Sequence, residues 1–207
     1  MIKLYGLRMS NYYSLVKAVL IEKGLDFEEI KAPPTQKEDN LARSPMGKMP
    51  SIEVDGQYMS ESLAIITYLE QMSDNSPLIP TDPFQAGKVM ELVCHIKLDA
   101  ELVARRCLAA AAFGGEVSDE TREATDKDLE RGLIAVNHLM VCDPYAAGGN
   151  GKKRKSFFLN HSECRSFASK SRSSESSGFT RQIRLGQMYG LRIVDSERRD
   201  SRLVGET

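Results

Sequence analysis

Ser44-Pro45-Met46-Gly47-Lys48-Met49-Pro50-Ser51-Ile52-Glu53-Val54-Asp55-Gly56 leads, four residues on, to Glu61-Ser62-Leu63-Ala64-Ile65. The first part reads as a loop ending in X-Pro and running into a short strand. Asp55-Gly56 between two short apolar runs is a two-residue hairpin signal, so Gln57–Met59 is the returning strand. A helix then opens on an acid and a hydroxyl, where free backbone N–H groups favour an anionic group. A proline at the mouth of a strand is a position where a cis bond exposes the neighbouring backbone. Together these features describe a site that grips a small peptide-like molecule by its main chain.

Upstream, Ile2-Lys3-Leu4-Tyr5 alternates as a first strand and Gly6 to Asn11 is a loop. Tyr12, Val16, Val19 and Leu20 share one helical face, and Lys23-Gly24 is a helix stop. Phe27 to Ile30 is a second strand, Pro33-Pro34 ends it, and Thr35-Gln36-Lys37-Glu38 reads as a capping box opening a short helix. With a helix from about Glu61 to Met72, the order is strand, helix, strand, helix, strand, strand, helix. That order predicts a thioredoxin-like α/β domain whose last two strands pair antiparallel.

Asp74 to Pro83 holds three prolines in ten residues and reads as a domain boundary. Asp82-Pro83-Phe84-Gln85 supplies an N-cap, a proline at the first helical position and a capping Gln. A long helix to about Ala112 is expected, broken at Gly114-Gly115. A second runs from Asp119 to Cys142 with Leu129, Leu133, Val136 and Met140 on one stripe. The domains expected are 1–76 (thioredoxin-like), 77–84 (linker) and 85–149 (helical). From Gly151 onward the composition turns to Lys, Arg and Ser, and no Ser/Thr-x-x-Asp/Glu box occurs. Residues 150–207 are expected to be a poorly ordered basic tail. A divergent end, an altered reading frame and a disordered extension all produce such a segment. The fold class is thus α/β plus all-α, with the helical domain incomplete if the tail does not complete it.

The 207 residues carry a formal net charge of −1, and this near-neutral total conceals an acidic first three-quarters and a basic tail. Lys152–Lys155 lacks the aromatic interleaving and fold signature of a nucleic-acid binder, so no nucleic-acid partner is expected. No apolar run approaches the roughly 20 residues that span a bilayer, and the N-terminus lacks a signal-peptide pattern; a cytoplasmic protein without membrane partners is expected. Cys94, Cys107, Cys142 and Cys164 show no C-x-x-C spacing, and His95, His138 and His161 no ligand spacing, so no metal is expected. Met90, Met140 and Cys94 read as core, and Arg105-Arg106 as a solvated face.

The chain resembles the glutathione transferase superfamily, in its serine-type, bacterial-like form. The resemblance is close over residues 1 to about 85 and looser, as an all-helical pattern, to about 149. It implies a cis Met49-Pro50 bond, with the Met49 backbone pairing with the cysteinyl part of glutathione. It implies that Glu61 and Ser62 hold the γ-glutamyl end, with Lys48 as a candidate for the glycine carboxylate. It implies a thiol-activating hydroxyl in the loop after the first strand, a position that falls on Ser10. A hydroxyl there donates to a thiolate and lowers its pKa. The same Ser10 also reads as the helix cap. Asn11, Tyr12 and Tyr13 are its rivals, whereas Tyr5 reads as packing. Glutathione is then a substrate, attacking an apolar electrophile between the two domains of a homodimer. The other reading is a non-catalytic thioredoxin-like interaction protein.

Overall fold

The computed structural model describes residues 1–75, 77–141 and 147, without the side chains of 111 and 112. The expectations for 150–207, and those for Cys142, Cys164 and His161, lie outside the described residues. Among the described residues two compact units are formed, one up to Pro77 and one beginning at Leu78.

In the first unit, β1 (Ile2–Gly6), α1 (Asn11–Lys23), β2 (Phe27–Lys31), α2 (Glu38–Arg43), β3 (Ser51–Val54), β4 (Gln57–Ser60) and α3 (Ser62–Met72) follow in the order expected. The sheet runs β2-β1-β3-β4, with β1 parallel to β2 and the other pairs antiparallel. Asp55 and Gly56 have φ of 50° and 79°, the positive pair that a type I′ hairpin turn requires. Leu4 and Ile52 of the sheet, Val16, Val19 and Leu20 of α1 and Ile65 and Leu69 of α3 are all essentially buried and belong to the core. Tyr5 points to the opposite face, where the Arg43 guanidinium of α2 lies 5.1 Å from its ring centre.

Two local expectations are corrected. The aromatic residue on the buried face of α1 is Tyr13, not Tyr12. Thr35 forms no capping box: Lys37 is the N-cap of α2, and Thr35 Oγ1 accepts only from the Lys37 amide at 3.4 Å. Thr35 is held two residues too early by its amide bond to the Gly47 carbonyl, and its own carbonyl takes the Asn40 side chain. The third helix runs from Ser62 to Met72 as expected, with Glu61 as its N-cap residue. Lys23 ends α1 as expected, with Gly24 as its C-cap, and is 1% exposed. Its ammonium pairs with Glu70 at 2.8 Å and donates to the Ser73 carbonyl at 3.0 Å, joining the C-terminal ends of α1 and α3.

The second unit opens with α4 (Pro83–Cys94), inside the segment read as linker, and Asp82 caps it by accepting from the Gln85 amide at 2.9 Å. The long helix expected to Ala112 is segmented: a π-helical stretch (His95–Glu101), α5 (Leu102–Ala104), a 3₁₀ turn (Arg105–Cys107) and α6 (Leu108–Ala112). Then α7 (Asp119–Leu139) ends three residues short of Cys142, capped at its start by Ser118. A close crossing accompanies the π-helical stretch. A Cβ on Gly132 would lie 2.0 Å from the Asp99 carbonyl oxygen, so the two backbones meet where only glycine fits. Ala100, Val103 and Ala104 pack there against Leu129 and Leu133.

Candidate functional site

The sheet register assembles the site. Tyr5 pairs with Ser51, and Ser51 with Ser60. The loop leaving β1, the loop entering β3 and the junction from β4 into α3 therefore all emerge at one end of the sheet. Ser10 lies in the first, Lys48, Met49 and Pro50 in the second, and Glu61 and Ser62 at the third. The topology thus gathers Ser10, Lys48, Met49, Pro50, Glu61 and Ser62 at one sheet end.

Ser10 is half-buried and caps α1: its Oγ accepts from the Tyr13 amide at 3.3 Å, and its own amide donates to the Leu7 carbonyl at 3.0 Å. Accepting leaves a hydroxyl's proton available, so capping and donation to a ligand are compatible. Tyr13 is removed as a rival. It is 2% exposed, and its phenol donates to Glu29 Oε2 at 2.6 Å. Burial first, then that bond to a carboxylate, push its pKa well above the tyrosine range. Tyr5 likewise donates to Glu53, in keeping with a packing role.

The Met49-Pro50 bond is cis, the isomer that the resemblance implied. Pro50 is buried and Met49 half-buried; Lys48 is exposed, with its amide donating to the buried Ser44 Oγ at 3.2 Å. Glu61 has φ 71° and ψ 117°, a conformation that disfavours a side chain, and it makes no capping hydrogen bond. Ser62, at the first turn of α3, is 4% exposed.

Sequence reasoning missed a cluster around Glu29. Its carboxylate takes Lys17 Nζ at 2.8 Å, Arg8 Nη2 at 3.0 Å and the Tyr13 phenol. Burial by itself would raise this carboxyl, but the donors Lys17, Tyr13 and Arg8 outweigh it and hold the pKa at about 2. No local signal marked it: Glu29 stands beside Leu4 in the sheet register, which the pattern of one strand does not reveal.

The remaining candidates are engaged elsewhere or are unremarkable in their surroundings. Arg105 pairs with Glu101 and Arg106 with Asp128, both within the helical unit. His95 pairs with Asp99. Cys94 and Cys107 are free and half-buried. Among the described residues no acid, His or Cys group is arranged to hold a metal, and no helix is long and apolar enough to cross a membrane.

Comparison with known proteins agrees with this geometry. The family described as "Glutathione S-transferase, N-terminal domain" matches residues 4–77. A glutathione S-transferase of Pseudomonas putida is 40% identical over 148 residues, 72% of this chain and 67% of that protein. A maleylacetoacetate isomerase of Rhizobium meliloti is 31% identical over 104 residues, which is 49% of each chain. The solved structure of glutathione S-transferase III in apo form superposes with a TM-score of 0.63 at 20% identity, covering 100% of this chain and 98% of that one.

Proposed function

The chain belongs to the glutathione transferase superfamily, and from that premise we propose that it activates the thiol of bound glutathione for attack on an apolar electrophile. In this reading the Met49 backbone pairs with the cysteinyl unit. Glu61 and Ser62 take the γ-glutamyl end, Lys48 the glycine carboxylate, and Ser10 donates to the sulfur. The thiol proton passes to solvent, the thiolate sulfur bonds to the electrophilic carbon, and with an aryl halide the halide leaves with its bonding pair. One hydrogen bond to a charged sulfur favours the thiolate by roughly 1.5–3 kcal/mol, which is enough to populate the nucleophile near neutral pH.

The observation that carries this reading is the Tyr5–Ser51–Ser60 row, which sets the Ser10 loop, the Met49-Pro50 loop and the Glu61-Ser62 junction at one sheet end. The identity to a maleylacetoacetate isomerase favours, as a second reading, isomerisation by reversible addition of the same thiolate. A cytoplasmic homodimer is part of the proposal.

Retention on immobilised glutathione, followed by a conjugation assay with a generic aryl halide, tests it. Binding with turnover supports the transferase. Binding without turnover on aryl halides, but with conversion of a cis-enone acid, moves the assignment to the isomerase. Failure of both binding and turnover replaces the enzyme by a non-catalytic interaction protein.

A further inference from the structure

The cluster around Glu29 has no part in the machinery described so far, yet every donor in it belongs to the segment that carries Ser10. Arg8 lies two residues before Ser10, Tyr13 three residues after it, and Lys17 one helical turn further on. Glu29 itself is on β2, whose main chain is bonded to β1 and independent of the Ser10 loop. Both flanks of Ser10 are thus tied to one carboxylate on a rigid strand.

The connection to the hydroxyl is short. Tyr13 donates its phenol to Glu29 and its backbone N–H to Ser10 Oγ. The Tyr13 ring is seated against Gly6, where an added Cβ would come within 2.5 Å of the ring. Ring, phenol and amide of one residue therefore fix the direction of the Ser10 side chain relative to the sheet. On the other flank, Ser14 Oγ donates to the Arg8 carbonyl at 3.3 Å, closing the loop on the same helix.

We infer that Glu29 is the positioning residue for the Ser10 hydroxyl, acting through Tyr13 and Arg8 rather than by touching glutathione. The inference rests on the reading that Ser10 activates the thiol. An acceptor-only carboxylate suits the task, since it takes three donors at once without offering a competing proton. Glutathione's grip on Met49, Glu61 and Ser62 does not pass through this cluster, so thiol activation and substrate affinity separate.

The experiment measures aryl-halide conjugation against pH in the full chain for Glu29→Ala, Glu29→Gln, Tyr13→Phe, Ser10→Ala and the double variant Ser10→Ala with Glu29→Ala. Circular dichroism establishes which variants fold. Glu29→Ala is expected to lower kcat about tenfold, as a small misplacement of a catalytic group does. It should also shift the pH–rate profile to higher pH and leave the glutathione KM within about twofold. Glu29→Gln and Tyr13→Phe should move the profile the same way by less, and they carry the test if Glu29→Ala does not fold. The double variant should be no slower than Ser10→Ala alone, because a positioning residue has nothing left to position. An unchanged profile in Glu29→Gln and Tyr13→Phe, or losses that multiply in the double variant, overturns the positioning role while Ser10 stands. An unchanged profile in Ser10→Ala overturns the Ser10 reading and the positioning role with it.

Discussion

Two helices begin at the candidate site, and they begin differently. Ser10 enters α1 with ordinary extended backbone (φ −83°, ψ 123°) and spends its side chain on the cap. Glu61 enters α3 at φ 71°, and its side chain caps nothing. The first start is what a helix needs for itself. The second departs from local preference by about 1–3 kcal/mol, a departure that persists only where surrounding structure or function requires it. The contrast matches the roles proposed: at α1 the cap residue contributes a proton without changing its structural work, whereas at α3 the backbone is bent so that an acid and free N–H groups meet a ligand.

The largest expected effect separates the two duties of Ser10. Asp caps helices as well as Ser but, ionised, offers no proton. Ser10→Asp should keep the thermal midpoint close to that of the parent and lower kcat by about ten- to a hundredfold, the worth of a hydrogen bond to a charged acceptor. Stopped conjugation with an unchanged melting curve is the result sought. Full activity would show that Ser10 only caps, and would direct attention to Asn11 or Tyr12.

At the α3 start the order of effects reverses. Glu61→Gly removes the side chain that conflicts with φ 71°, so stability should hold or rise by about 1 kcal/mol. Meanwhile the glutathione KM should rise roughly tenfold with kcat little changed, the signature of binding felt equally in ground and transition states. Glu61→Gln keeps the strain and should raise KM without the gain in stability. A collapse of kcat at constant KM would place Glu61 beside the sulfur, and the contrast between the two helix starts would no longer describe their roles.

How much of this was legible follows the range of the interactions. The Asp55-Gly56 turn, the Asp82 cap and the order of elements along the first unit are written locally, in turn residues and alternation, and they appear as read. Ser10 was legible as a position, because a hydroxyl just before an apolar-periodic run is a cap signal whatever else it does. Glu61 was legible as an acid at a helix start, but its positive φ was not, since nothing in Ser60-Glu61-Ser62 announces it. The capping box at Thr35 failed because a long-range bond to Gly47 fixed the chain first. Lys23 was read only as part of a helix stop and Glu29 only as a strand residue, since one-dimensional periodicity does not reveal which cation meets which carbonyl or carboxylate across the fold. The π-helical stretch was hidden for the same reason: Gly132, some thirty residues later, makes room for Asp99.

The smallest expected effect concerns acid and the α1 start. The folded-state pKa of Glu29, about 2, lies below an unfolded value near 4.5. A depressed carboxyl contributes its stability fully above the unfolded pKa and loses it as pH falls toward the folded one. The window is therefore about pH 4.5 down to 2. The Glu29 side chain is 28% exposed, so solvent screening reduces the contribution to about 1 kcal/mol, or about 2–4 °C in the thermal midpoint. The midpoint of Glu29→Gln should lie below that of the parent at pH 6, and the two should converge as pH is lowered through 4 toward 2. A gap between Glu29→Gln and the parent that stays constant down to pH 2 would show that Tyr13, Lys17 and Arg8 hold that carboxylate no more tightly in the folded chain than water does in the unfolded one.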